Sequence, residues 1–203
     1  MNHLPLILKL FRQFIYLVLL TLIVIVFWQV ADVFKSATVQ EYGMFESIQS
    51  VVLFLIAMSF SIQAFRNQPY RPILFSLGML ALAALVREQD SFFDNAIPLI
   101  GWSWCWLFPI SGLVLLICKR REIGPAMHDF LHSYAFHMML TALIIIIPVA
   151  QCLGHRSFLV DMLGDQSVDS HLVRRIMEEP IELLGYIQIL LASIECAIEL
   201  RRK

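Results

Sequence analysis

Apolar runs of about twenty residues alternate with short polar breaks along nearly the whole chain. Wound as a helix, a run of that length matches the hydrocarbon thickness of a bilayer. Six can be drawn, over roughly 12–33, 43–65, 71–88, 99–118, 129–152 and 180–200. Pro72 and Pro180 fall where a first helical turn accepts proline. Glu178 and Glu179 add negative charge at the start of the last run. Pro109 and Pro148 lie inside runs and are expected to kink them, which membrane helices tolerate where neighbours satisfy the freed carbonyls. The pattern predicts an all-α polytopic membrane protein, a single six-helix transmembrane bundle over 1–203.

The first run needs a decision of its own. Lys9 and Arg12 precede it in the order of a signal peptide, but it is longer than an ordinary h-region and no small-x-small site closes it. It reads as a retained span. Composition agrees: 59% of the residues are hydrophobic and 15% charged, against about 25% charged in soluble domains. A net charge of −1 without a basic soluble patch argues against a nucleic-acid partner. Cys105, Cys118, Cys152 and Cys196 are scattered with no C-x-x-C pair, which suits small buried hydrophobes better than a zinc site or a disulfide framework.

Lys and Arg placement predicts orientation. With the N-terminus inside, the inner segments hold Lys9, Arg12, Arg66, Arg71, Lys119, Arg120, Arg121, Arg201, Arg202 and Lys203. Both termini are then cytoplasmic. Most acids fall on the other side, the inner ones being Glu122, Asp129, Glu195 and Glu199. Of the outer links, 91–98 leads into the aromatic belt Gly101-Trp-Ser-Trp-Cys-Trp106. The longest, within 154–177, carries Phe158–Leu163 and Leu172–Met177, which read as short helices on the membrane surface.

Three acidic stretches then share the outer rim: Glu41-Tyr-Gly-Met-Phe-Glu46, Arg87-Glu-Gln-Asp90 with Asp94, and Glu178-Glu-Pro-Ile-Glu182. Ionisable groups in spans cost about 2.5–3.5 kcal/mol each on insertion scales, so they need a reason. Glu46, Gln49 and Ser50 are i, i+3 and i+4 neighbours, as are Glu178, Glu179 and Glu182 across one turn. Arg87 is the cation placed to pair with Glu46 or Glu182. Three readings follow: acids gathered at outer ends with one structural ion pair, a site for an oxygen-preferring cation, or a proton- or cation-coupled transport path. The metal reading takes Glu46, Glu88, Asp90, Glu179 and Glu182 as ligands of a divalent ion. Gln49, Arg87, Glu41, Asp94, Glu178 and His171 then complete the polar pocket.

Histidines form a second constellation. His128 and His132 are i, i+4, a spacing able to chelate, while His137 is turned away from them and expected to be buried and hydrogen-bonded. These lie on the inner side, so His155 and His171 are better placed to join the carboxylates. Arg174 and Arg175 beside His171 suit lipid phosphates equally well. No G-x-S-x-G, P-loop, H-E-x-x-H or dinucleotide fingerprint occurs.

At the acidic motifs the chain resembles a group of small, largely uncharacterised bacterial inner-membrane proteins. Glu41, Gly43 and Glu46 match its Glu-x-Gly-x-x-Glu motif, Arg87, Glu88 and Asp90 its Arg-Glu-x-Asp motif, and Glu178, Glu179 and Glu182 its Glu-rich motif. That resemblance implies a bacterial inner membrane and no particular activity. A fainter similarity links it to ceramidase-like membrane hydrolases, which join several membrane helices to acidic and histidine metal ligands. The function expected is an inner-membrane cation-binding protein, in its catalytic form a metal-dependent hydrolase of a lipid or lipid-linked substrate. A non-catalytic membrane subunit or a small transporter component is the alternative.

Overall fold

The computed structural model describes residues 4–34, 44–89, 101–155 and 178–201. Every regular element among them is helical. In chain order these are α1 (Leu4–Phe34), α2 (Met44–Arg66), α3 (Arg71–Glu88), α4 (Leu107–Cys118), α5 (Gly124–Leu131), α6 (Tyr134–Ile144), α7 (Ala150–Gly154) and α8 (Glu179–Leu200). A π-turn over Ile145–Val149 joins α6 to α7. The surface helices expected at 158–163 and 172–177 lie outside the described residues, as do Glu41, Asp90, Asp94 and His171.

Among the described residues, five stretches are long and apolar enough to cross a membrane: Ile7–Val26, Phe45–Arg66, Gln68–Glu88, Tyr134–Leu153 and Glu179–Leu200. The run expected over 99–118 is a shorter apolar helix, Ser103–Cys118. Its first residues are wound as a 3₁₀ turn over Gly101–Trp106. Helices are the form these runs take because they satisfy every interior N–H and C=O within one segment.

Four details differ from the sequence expectation. The first helix begins at Leu4, so Lys9 and Arg12 lie within it rather than before it. The fifth apolar helix begins at Tyr134 instead of 129, because Ser133 is extended and its hydroxyl caps the new helix by accepting from Phe136 N. Pro109 sits in the first turn of α4, where a missing N–H costs nothing. Pro148 falls in the π-turn, where Ala150 N reaches back to Ile145 O.

Neighbours run in opposite directions except for one pair. α2 packs between α3 and α8, α3 also packs on α4, and α8 also packs on α6 and the π-turn. The core at these contacts is Leu53, Ile56, Phe60, Leu74 and Leu183, each no more than 2% exposed. α3 and α4 meet closely at Gly112, where an added Cβ would lie 3.0 Å from Ser76 Cα. Ser76 Oγ donates to Gly112 O across this contact. α2 and α8 run parallel and are keyed twice in the same register. Gln49 Nε2 donates to Glu179 O at 3.1 Å, and two heptads further along both helices Gln63 Nε2 donates to Ser193 O at 3.0 Å. α1 stands apart, with only 6% of its apolar window buried, and leans on α8.

Candidate functional site

The starts of α2 and α8, the end of α3 and the short α7 meet at one end of the bundle. Glu178 and Glu182 are one turn apart and both buried. The Gln151 amide, at the start of α7, donates to both, at 2.7 Å to Glu178 Oε1 and 3.3 Å to Glu182 Oε1. One turn further along α8, the buried Tyr186 hydroxyl donates to Glu88 Oε1 at 3.0 Å. Gln89 donates to Ser50 Oγ at 2.7 Å and ties the end of α3 to α2. Gln49 is wholly buried beside the Glu179 carbonyl, and its Oε1 has no donor.

Several expected residues are brought together and others are not. Glu88, Glu178, Glu182 and Gln49 converge through the contacts above, and Glu179 joins by its backbone carbonyl. Glu46 is exposed on α2 although it lies one turn from buried Gln49. Arg87 is exposed, and none of the ion pairs among the described residues joins it to Glu46 or Glu182. The exposure follows from its position in the last turn of α3, beside Val86, which takes the buried direction. Among the described residues no group of three His, Cys, Asp or Glu side chains is close enough to hold a metal ion.

The sequence pattern did not single out Gln151 or Tyr186. A lone glutamine near the end of an apolar run, and a tyrosine at i+4 from a glutamate, were the available signals. Nor did it single out a second polar cluster at the opposite end of the bundle. There Glu195, 1% exposed, accepts from Arg12 Nε and Nη2 and from Tyr16 Oη. Glu199, one turn on, accepts from Tyr134 N at 3.2 Å, and Lys9 Nζ lies 5.2 Å from the Tyr134 ring centroid.

Among the described residues, His128, His132 and His137 do not come together as one site. His128 and His132 stack with centroids 4.3 Å apart, and both are exposed. His137 is exposed too, contrary to the expectation of burial, with Nδ1 2.7 Å from Ser133 O. The helix break at Ser133 separates it from the other two.

Among the described residues, the candidate ligand atoms at the carboxylate end are oxygens: carboxylates, amide carbonyls and a phenol. Such groups favour hard cations over thiophilic metals. No protein-family model, curated protein or solved structure matches this chain.

Proposed function

We propose that this is a multi-pass membrane protein of the bacterial inner membrane, six spans with cytoplasmic termini, that binds a cation in a carboxylate-rich pocket facing outward. The single observation that carries the reading is Gln49 Oε1. It is a buried acceptor without a donor, at the end of the bundle where Glu88, Glu178 and Glu182 are also gathered. A buried acceptor left unmatched costs about 1–3 kcal/mol. A cation entering beside it would remove that cost. A divalent metal held there would supply a Lewis acid, which makes hydrolysis of a lipid or lipid-linked substrate the catalytic form of the same reading.

The test uses purified protein in detergent, titrated separately with Mg²⁺, Ca²⁺, Mn²⁺, Zn²⁺ and Na⁺ while thermal unfolding is followed. A cation at about 100 times its Kd stabilises by about 2.7 kcal/mol, a rise of about 5–10 °C for a chain of this size. Glu182→Gln keeps the fold, because an amide still accepts from Gln151, and weakens the response at least roughly tenfold. The reading fails if no cation moves the midpoint, or if Glu182→Gln responds like the parent.

The near-complete exposure of α1 favours a second reading, a membrane subunit whose first helix packs against a larger assembly. Co-purification of a partner that survives Glu182→Gln but not truncation of α1 would support it over the first.

A further inference from the structure

At the opposite end of the bundle from the carboxylates, a groove of about 620 Å³ opens between the start of α3 and the end of α4. Arg71, Lys119 and Glu122 stand at its polar edge. Phe75, Val114 and Leu115, about a turn deeper along the two helices, form its apolar wall. Arg66, Arg120 and Arg121 are exposed at the same end, so the surroundings carry an excess of positive charge. The Arg71 guanidinium lies 5.7 Å from the Phe65 ring centroid. Lys119 Nζ is 3.0 Å from both carboxylate oxygens of Glu122, a surface pair of the kind worth at most about 1 kcal/mol and easily exchanged.

We propose that this groove holds an anionic glycerophospholipid, with its phosphodiester on Arg71 and Lys119 and one acyl chain along Phe75, Val114 and Leu115. A guanidinium fork matches two phosphate oxygens, and lysine adds a point charge. Basic pockets between membrane helices hold anionic headgroups in this way. The apolar wall decides between a lipid and a soluble anion. It continues away from the charged edge onto the exposed Leu113, Val114 and Ile117, a surface that hydrocarbon covers and water does not.

Native mass spectrometry of delipidated protein in detergent tests this, with phosphatidylglycerol, phosphatidylcholine and glycerol 3-phosphate as probes. Phosphatidylglycerol is retained and raises the unfolding midpoint, and phosphatidylcholine is not retained. The double variant Arg71→Gln/Lys119→Gln binds phosphatidylglycerol roughly thirtyfold more weakly, about 2 kcal/mol at about 1 kcal/mol per basic residue. Arg201→Gln, an exposed cation outside the groove, binds like the parent. Ser111→Phe fills the groove with every charge intact and also loses the lipid. Equal retention of phosphatidylcholine overturns the proposal. So does binding of glycerol 3-phosphate as tight as that of phosphatidylglycerol, which makes this a soluble-phosphate site. Undiminished binding by Ser111→Phe overturns it as well, since diffuse rim charge then suffices.

Discussion

Glu182 and Glu195 lie on the same helix, roughly 20 Å apart at 1.5 Å per residue, and both are buried, yet their surroundings differ in kind. Glu195 is met by a guanidinium delivered from α1 and by the Tyr16 hydroxyl. Its charge is neutralised inside the fold, so the group is structural and fastens a helix that touches little else. Glu182 shares an amide donor with a second carboxylate, and a third carboxylate is held one turn away by a tyrosine. That arrangement brings three carboxylates to one end of the bundle. On the reading proposed above, the buried acid with its own arginine is a clamp, whereas the end where Gln49 Oε1 has no donor is the one that takes a cation.

The sharpest way to break this contrast is to remove the clamp. Arg12→Ala leaves Glu195 buried without its cation, and losing one partner of a buried pair costs about 3–5 kcal/mol. The unfolding midpoint in detergent should fall accordingly. Arg12→Ala/Glu195→Gln should recover most of the loss, because Tyr16 can still donate to the amide. If the single variant is as stable as the parent, the Arg12–Glu195 pair holds nothing, and the two ends of α8 are alike.

Much of the fold was legible because length and apolarity are properties of single segments. The runs that became α2, α3 and α8 lie within a few residues of their expected bounds. Alternating direction then places the starts of α2 and α8 with the end of α3, so the meeting of Glu88, Glu178, Glu182 and Gln49 was foreseeable. Which face each residue takes was not. A membrane helix is apolar on both its lipid and its protein sides, so no stripe shows that Gln49 is buried and Glu46 exposed three residues away. The Arg12–Glu195 clamp joins residues near opposite ends of the chain, and only packing brings them together. Arg12 read as a mark of orientation because topology rules use basic residues only in that way. The break at Ser133 was hidden because a serine inside an apolar run is common, and its capping role depends on backbone shape.

Gly185 lies between the two ends and keeps α8 close to the span opposite. A Cβ there would overlap Ile146 Cγ1 and lie 3.3 Å from Ala142 O. Gly185→Ala should therefore destabilise by about 1–3 kcal/mol, the usual cost of overpacking, measured by unfolding in detergent. Because Ile146 is near Gln151 on the same span, the variant should also weaken the cation response while leaving the Arg12–Glu195 end intact. Loss of stability with an unchanged cation response would show that the pocket does not depend on this close approach.

The smallest expected effect separates the two glutamines that key α2 to α8. Each donates to an α8 carbonyl, and each leaves a buried Oε1 without a donor. Gln63 faces Ser59 and Ser193, neither of them charged. Gln63→Met loses one interhelical hydrogen bond, about 0.6 kcal/mol on average in membranes, and removes an unmatched acceptor whose cost is about as large or larger. Its unfolding midpoint should stay within about 1 kcal/mol of the parent, with the cation response unchanged. Gln49→Met makes the same exchange beside the carboxylates, so its stability should change as little, but the cation response should weaken. Identical behaviour of the two variants would mean that register alone explains both glutamines, and Gln49 Oε1 would then be no ligand. A loss of stability above about 2 kcal/mol in Gln63→Met would mean that its oxygen is satisfied by a buried water. The seam would then be wet at the end where the Arg12–Glu195 pair lies.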